Sequence, residues 1–150
     1  MARLPGAVLF ACNLNRVRSP MAEGLMKRRS GDRIFVESCG LRGGDDDQVD
    51  PFAAAVMDEI GVDLAAHRPR TFEDVEADSF DVVISLTPQA HHRAGELARG
   101  RSVEIEFWPT LDPTLAMGAR DTVLEAYRAV RDSLEAKIAR RFPGAGTFGG

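Results

Sequence analysis

The sequence predicts a single α/β domain with a parallel sheet between helical layers. Three observations predict it. Short apolar runs alternate with segments of helical spacing in the order β-α-β-α-β-α-β-α, which implies parallel strands covered on both faces. The first run, Ala7 to Ala11, is apolar throughout, as in a strand buried on both sides. The length, 150 residues with 44% hydrophobic content, suits one core of this kind.

The elements follow in order. The run Ala7-Val8-Leu9-Phe10-Ala11 ends at Cys12. Ser19-Pro20 then suggests a helix start, with Ser as N-cap and Pro at the first helical position. That helix turns Met21, Leu25 and Met26 inward and ends near Ser30-Gly31. Ile34 to Ser38 is the second strand, and the glycine-rich, acidic stretch Gly40 to Val49 is a solvated loop. Asp50-Pro51 opens a second helix carrying Phe52, Val56 and Ile60, which Gly61 stops. Phe80 to Ser85 is the third strand, and Thr87-Pro88 starts a helix that runs to about Gly100, with His91 and His92 facing water. Val103 to Phe107 alternates as an edge strand does. After a loop from Trp108 to Ala119, Thr122-Val123-Leu124-Glu125 fits a capping box. The last helix presents Val123, Tyr127, Val130, Leu134 and Ile138 on one face, with Lys137, Arg140 and Arg141 near its end, where the helix dipole favours them. The domain is expected to span 1–142, followed by a flexible tail, 143–150.

Composition excludes several classes. A net charge of −4 gives no electrostatic footprint for nucleic acid. The longest apolar run, Ala7 to Cys12, is too short to span a bilayer, and the first residues lack the apolar core of a signal peptide. Two cysteines make neither a disulfide framework nor a zinc site, so no metal and no cofactor are expected. The chain reads as a cytoplasmic domain with two reduced thiols.

The chemistry lies in Cys12-Asn13-Leu14-Asn15-Arg16-Val17-Arg18-Ser19-Pro20. A Cys ends a strand, five residues follow, then Arg, then a helix start. Successive backbone N–H groups of such a turn form a nest for an anion, and the helix N-terminus adds positive potential there. Arg18 supplies a planar fork for two phosphate oxygens. The sulfur of Cys12 would sit beneath the phosphorus, and the same field favours thiolate over thiol, which makes a nucleophile. Asn15 suits a left-handed backbone position in this turn.

On these residues the chain resembles the low-molecular-weight protein tyrosine phosphatases. The resemblance runs through Val8 to Cys12, Arg18 to Glu23, Glu37-Ser38-Cys39-Gly40, Gly61 to Arg68, Phe80 to Ser85 and Trp108 to Pro113. It implies a four-stranded parallel sheet in the order 2-1-3-4, with the cleft at the carboxyl ends of the strands. It also implies a two-step reaction. Cys12 forms a cysteinyl-phosphate, Arg18 and the amides of Asn13 to Arg18 hold the transferring group, and Asp112 serves as acid and then base. Ser19 would hydrogen-bond the departing sulfur, and Asn15, Ser38 and His67 match residues that brace the loop. Substrates would be a phosphorylated protein or a small phosphate ester, with inorganic phosphate and other oxyanions as inhibitors.

The chain departs from the family pattern in three places. Leu14 and Val17 stand where Gly and often a second Cys are usual. Thr114-Leu115 follows Asp112-Pro113 where aromatic residues often stack on a phenol ring, and the loop after strand two offers Arg42 and Asp45 to Asp47. Cys39 occupies a small-residue position beside strand one, as packing or as a redox partner of Cys12. Two other functions stay open: arsenate reduction with an external thiol, since Phe80 to Gly100 contains no Cys for an internal relay, and non-catalytic oxyanion binding.

Overall fold

A computed structural model describes residues 4–145. Four parallel strands, β1 (Ala7–Cys12), β2 (Phe35–Gly40), β3 (Val82–Ser85) and β4 (Glu104–Phe107), form one sheet in the order β2-β1-β3-β4. Four helices, α1 (Arg18–Ser30), α2 (Pro51–Asp58), α3 (Pro88–Ala98) and α4 (Arg120–Arg141), cover it. The expected three-layer parallel architecture and its strand order are therefore present.

Alternation along β1 divides the core in two. Val8, Phe10 and Cys12 face a large cluster with Met21, Met26, Val56, Tyr127, Leu134 and Ile138, drawn from α1, α2 and α4. Leu9 and Ala11 face a smaller cluster with Cys39, Val83, Ala90 and Ala94, covered by α3. Burial of both faces explains why β1 shows no polar alternation: Val8 to Cys12 are all 3% exposed or less. Among the described residues, no helix is long and apolar enough to cross a membrane.

Two of the expected helix starts form as predicted. Asp50 Oδ1 accepts from the Phe52 and Ala53 N–H groups, and Thr87 Oγ1 accepts from Ala90 N–H. Two others differ. Ser19 is not an N-cap, because α1 already begins at Arg18 and the Ser19 hydroxyl is engaged in the core. The Thr122–Glu125 capping box does not form, because α4 begins at Arg120 and places Thr122 inside the helix. A box forms instead at Thr71 and Asp74, ahead of a short 3₁₀ turn.

One further expectation is corrected. His91 is half-buried, stacked on Phe107 with ring centroids 5.1 Å apart, and only His92 faces water. Of the expected tail, 143–150, the described part is a turn in which Ala145 N–H donates to Phe142 O and Ala145 is buried in the larger cluster. The remainder of that tail lies outside the described residues.

Candidate active site

The loop from Asn13 to Val17 connects the carboxyl end of β1 to the first residue of α1. Its turn depends on Asn15, which has φ 57° and is fully buried. Left-handed backbone costs an L-residue about 1–2 kcal/mol, and Asn tolerates it better than most. Here its side chain and carbonyl also make four contacts. Its Nδ2 group donates to Ser19 Oγ at 2.8 Å and to Ser38 Oγ at 2.9 Å. Its Oδ1 accepts from Arg70 N–H at 2.9 Å, and its carbonyl accepts from His67 Nε2 at 3.0 Å. Thus Asn15, Ser38 and His67, expected to brace the loop, are brought together. Burial holds the His67 pKa below its ordinary value, which favours the neutral ring with the Nε2 proton directed at Asn15.

The second strand supports the loop from below. A Cβ at Gly40 would stand 2.9 Å from Asn13 O, Asn15 N and Leu14 C, all backbone atoms, so no side chain fits there. Leu41 N–H donates to Cys12 O and Asn13 O, and Arg42 N–H donates to Asn13 O. Asn13 is further held by the Thr87 hydroxyl, which donates to its Oδ1 at 2.8 Å.

Cys12 Sγ lies 2.9 Å from Ser19 Oγ, and the Ser19 hydroxyl also reaches Cys39 O at 3.3 Å. One hydroxyl proton cannot serve both acceptors fully. With a thiol, S–H can donate to Oγ while the hydroxyl turns to Cys39 O; with a thiolate, the hydroxyl turns to sulfur. Asn15 donates to the same oxygen and fixes it in place.

Arg18 joins this loop to the opposite rim. Its guanidinium donates to Thr110 O at 3.0 Å and comes within 3.9 Å of Asp112 Oδ2. Asp112 Oδ1 accepts from the N–H and hydroxyl of Thr114, which leaves Oδ2 on the Arg18 side. A cleft of about 170 Å³ is lined by Cys12, Arg18 and Asp112, with Leu14, Arg42 and Thr114 also on its wall. Asn13, Arg16 and Val17 line it too. Arg16 turns its side chain to Gln48 O and Asp46, while Val17 is almost fully buried in the larger core.

Of the two roles open to Cys39, its position in the smaller core cluster fits packing. Its register partner on β1 is Ala11, one residue before Cys12, so the two side chains project from opposite faces of the sheet. Both cysteines are free thiols, and a disulfide needs Cβ vectors that point at each other. Burial, with nearby Cys12 second, pushes the Cys39 thiol well above its ordinary pKa.

Several supporting residues carry no local sequence signal. Glu23, 7% exposed, accepts from the Ser38 hydroxyl and from Lys27, and so continues the bracing network beneath Asn15. Arg70 reaches Glu37 at 2.8 Å while its backbone N–H holds Asn15. Thr110 and Thr114 secure Arg18 and Asp112. Helical spacing exposes the possibility only for Glu23 and Lys27, four residues apart.

A family model described as low molecular weight phosphotyrosine protein phosphatase matches residues 7–142. The chain is 35% identical over 132 residues to a glutaredoxin arsenate reductase of Synechocystis sp., covering 87% of this chain and 92% of that one. It is 28% identical to a protein-arginine-phosphatase of Geobacillus stearothermophilus, over 91% of this chain and 94% of the other. Among solved structures, an arsenate reductase in the phosphate binding state is similar with a TM-score of 0.71 and 30% identity, covering 91% of this chain and 96% of that one.

Proposed function

Because the chain belongs to the low molecular weight phosphotyrosine protein phosphatase family, we propose that it is a cysteine-dependent phosphomonoesterase of the tyrosine phosphatase type. The observation that carries this reading is the convergence of Cys12, Arg18 and Asp112 on one small cleft. A thiolate nucleophile, an anion clamp and a carboxyl group on the opposite rim are the parts that phosphoester cleavage needs.

The reaction proceeds in two displacements. Cys12 Sγ attacks phosphorus and forms an S–P bond as the ester P–O bond breaks, and Asp112 gives its proton to the leaving oxygen. The loop amides and the Arg18 guanidinium hold the non-bridging oxygens throughout. Water then attacks phosphorus, Asp112 takes its proton, and the S–P bond breaks. The Ser19 hydroxyl turns to the sulfur as its negative charge returns. Inorganic phosphate is the product and occupies the same cradle as an inhibitor, as other oxyanions of that size do.

Hydrolysis of p-nitrophenyl phosphate by the wild type, Cys12→Ser and Asp112→Ala proteins tests this. Cys12→Ser is expected to be inactive, and Asp112→Ala slower by about 10²-fold or more. A wild type no faster than Cys12→Ser overturns the reading.

A second reading is arsenate reduction, favoured by the 35% identity to a glutaredoxin arsenate reductase. Arsenate fits a phosphate cradle. Cys12 would displace an arsenate oxygen to form an S–As(V) bond, and an external thiol would then attack the Cys12 sulfur. The mixed disulfide forms, the S–As electron pair passes to arsenic, and As(III) leaves as arsenite. Residues 80–100 carry no cysteine, so the second thiol comes from a small thiol such as glutathione. Arsenite release in the presence of glutathione and glutaredoxin, measured beside phosphoester hydrolysis, separates the two activities.

A further inference from the structure

The cleft carries one guanidinium more than a phosphate group needs. Arg18 is the clamp, and Arg16 is turned to Gln48 O and Asp46. Arg42 lines the same cleft, yet among the described residues its guanidinium has no hydrogen bond or ion pair. Its backbone is fixed, since its own N–H donates to Asn13 O at 3.1 Å and the preceding residue is bonded to Cys12 O. The side chain is therefore exposed and without a polar partner among the described residues, while its base is fastened to the phosphate loop.

The chain on either side of Asp112 and Thr114 exposes apolar side chains. Leu111 and Leu115, next to Asp112 and Thr114 in the chain, are 84% and 75% exposed. A compact metabolite in a cleft of about 170 Å³ covers little of this surface. An extended polypeptide reaches beyond the cleft on either side of a phosphorylated residue and can meet Arg42 at its wall.

On the phosphatase reading, on which this rests, we infer that Arg42 forms a second anion subsite and that the substrates are phosphorylated polypeptides with an acidic residue beside the phosphorylated one. The carboxylate pairs with Arg42 while the phosphoryl group pairs with Arg18. Asp45, Asp46 and Asp47 belong to the same loop, but none lines the cleft, and Asp46 is engaged by Arg16. Because the pair is exposed, its contribution shrinks as ionic strength rises.

The test uses matched phosphotyrosine pentapeptides with Glu or Lys beside the phosphorylated residue. The quantity read is the ratio of their kcat/KM values, so a general loss of activity cancels within each protein. The wild type is expected to favour Glu by about ten-fold at low salt, Arg42→Ala by about two-fold or less, and Arg42→Glu to favour Lys. An unchanged ratio in Arg42→Ala, or a wild-type ratio near one, overturns the subsite. Free phosphotyrosine against its amide distinguishes a small carboxylate source: an equal preference there overturns the polypeptide assignment. The same peptides bound to Cys12→Ala, measured by fluorescence anisotropy, give the ratio as Kd values without turnover. If the wild type hydrolyses nothing yet this binding ratio responds to Arg42, the subsite stands and the phosphatase reading alone fails.

Discussion

The Thr114 hydroxyl donates to Asp112 Oδ1 at 2.6 Å, two residues along the chain, and Thr114 N–H donates to the same oxygen at 3.0 Å. Two donors on one carboxylate oxygen fix the side-chain rotation and leave Oδ2 to face the cleft. In the proposed reaction Thr114 is thus a positioning residue for the acid, at a place where aromatic residues are common in the family. Thr114→Val is expected to slow phenyl phosphate hydrolysis about ten-fold, through misplacement of the proton donor. With p-nitrophenyl phosphate, whose leaving group needs little protonation, the effect is smaller, and Thr114→Ser restores both. A purely structural loss would slow both substrates alike.

In the proposed reaction Ser19 acts on the other displacement. Its hydroxyl supports the sulfur when charge returns to it, and a hydrogen bond to a charged group is worth about 1.5–3 kcal/mol. Ser19→Ala is expected to slow breakdown of the cysteinyl-phosphate by about 10- to 100-fold. Rapid mixing with p-nitrophenyl phosphate should then show a burst of p-nitrophenol near one equivalent, followed by a slow steady state. A mutant with reduced rate and no burst would place Ser19 in the first displacement instead.

Asn15→Ala removes the side-chain contacts to Ser19, Ser38 and Arg70 at a position with φ 57°. Unsatisfied buried polar groups and left-handed strain together predict a loss of about 3 kcal/mol in urea unfolding. Asn15→Gly relieves the backbone strain and is expected to recover part of that stability but little activity.

His67 gives the protein a pH dependence. Its pKa is lowered in the folded state, so between that value and the unfolded value of about 6.5 the unfolded chain binds more protons. Stability therefore rises with pH through this window and is lost as pH falls below about 6.5. His67→Gln keeps an N–H donor for the Asn15 carbonyl without the titration. Urea midpoints from pH 5 to 8 are expected to flatten in His67→Gln relative to the wild type.

Cys39 is fully buried with a raised pKa, on the face of the sheet away from Cys12. The native protein is expected to give one thiol with DTNB and two in denaturant. Peroxide inactivation should be the same in wild type and Cys39→Ala, with no intramolecular disulfide by mass. A wild-type disulfide between these residues would require the strand edge to open, and its detection would refute the register as the controlling geometry.

The local parts of the site were legible in the sequence because they are encoded within a few residues. Cys12 at a strand end, Arg18 at a helix start and the left-handed tolerance of Asn15 belong to one continuous segment. Ser19 illustrates the limit. A Ser before a Pro resembles a cap, yet the hydroxyl is used by Cys12 and Asn15, and the helix starts a residue earlier. For Cys39 the sequence indicates the neighbouring strand but leaves packing and redox partnership both open, because a one-residue offset in register reverses the side chain. The contacts of Arg18 with Thr110 and of Asn15 with Arg70 join residues 92 and 55 positions apart, which no periodicity announces.

The four bonds that hold Asn15 come from α1, β2 and the segment before the first 3₁₀ turn after α2. The loop is thus ordered when the chain folds, before any oxyanion arrives. Little conformational entropy remains to be lost on binding, so the heat of phosphate binding should report contacts rather than ordering. Loosening the loop transfers that ordering to the ligand. Catalytic competence and global stability are therefore two readings of one reservoir of order, and selection acting on either constrains the other.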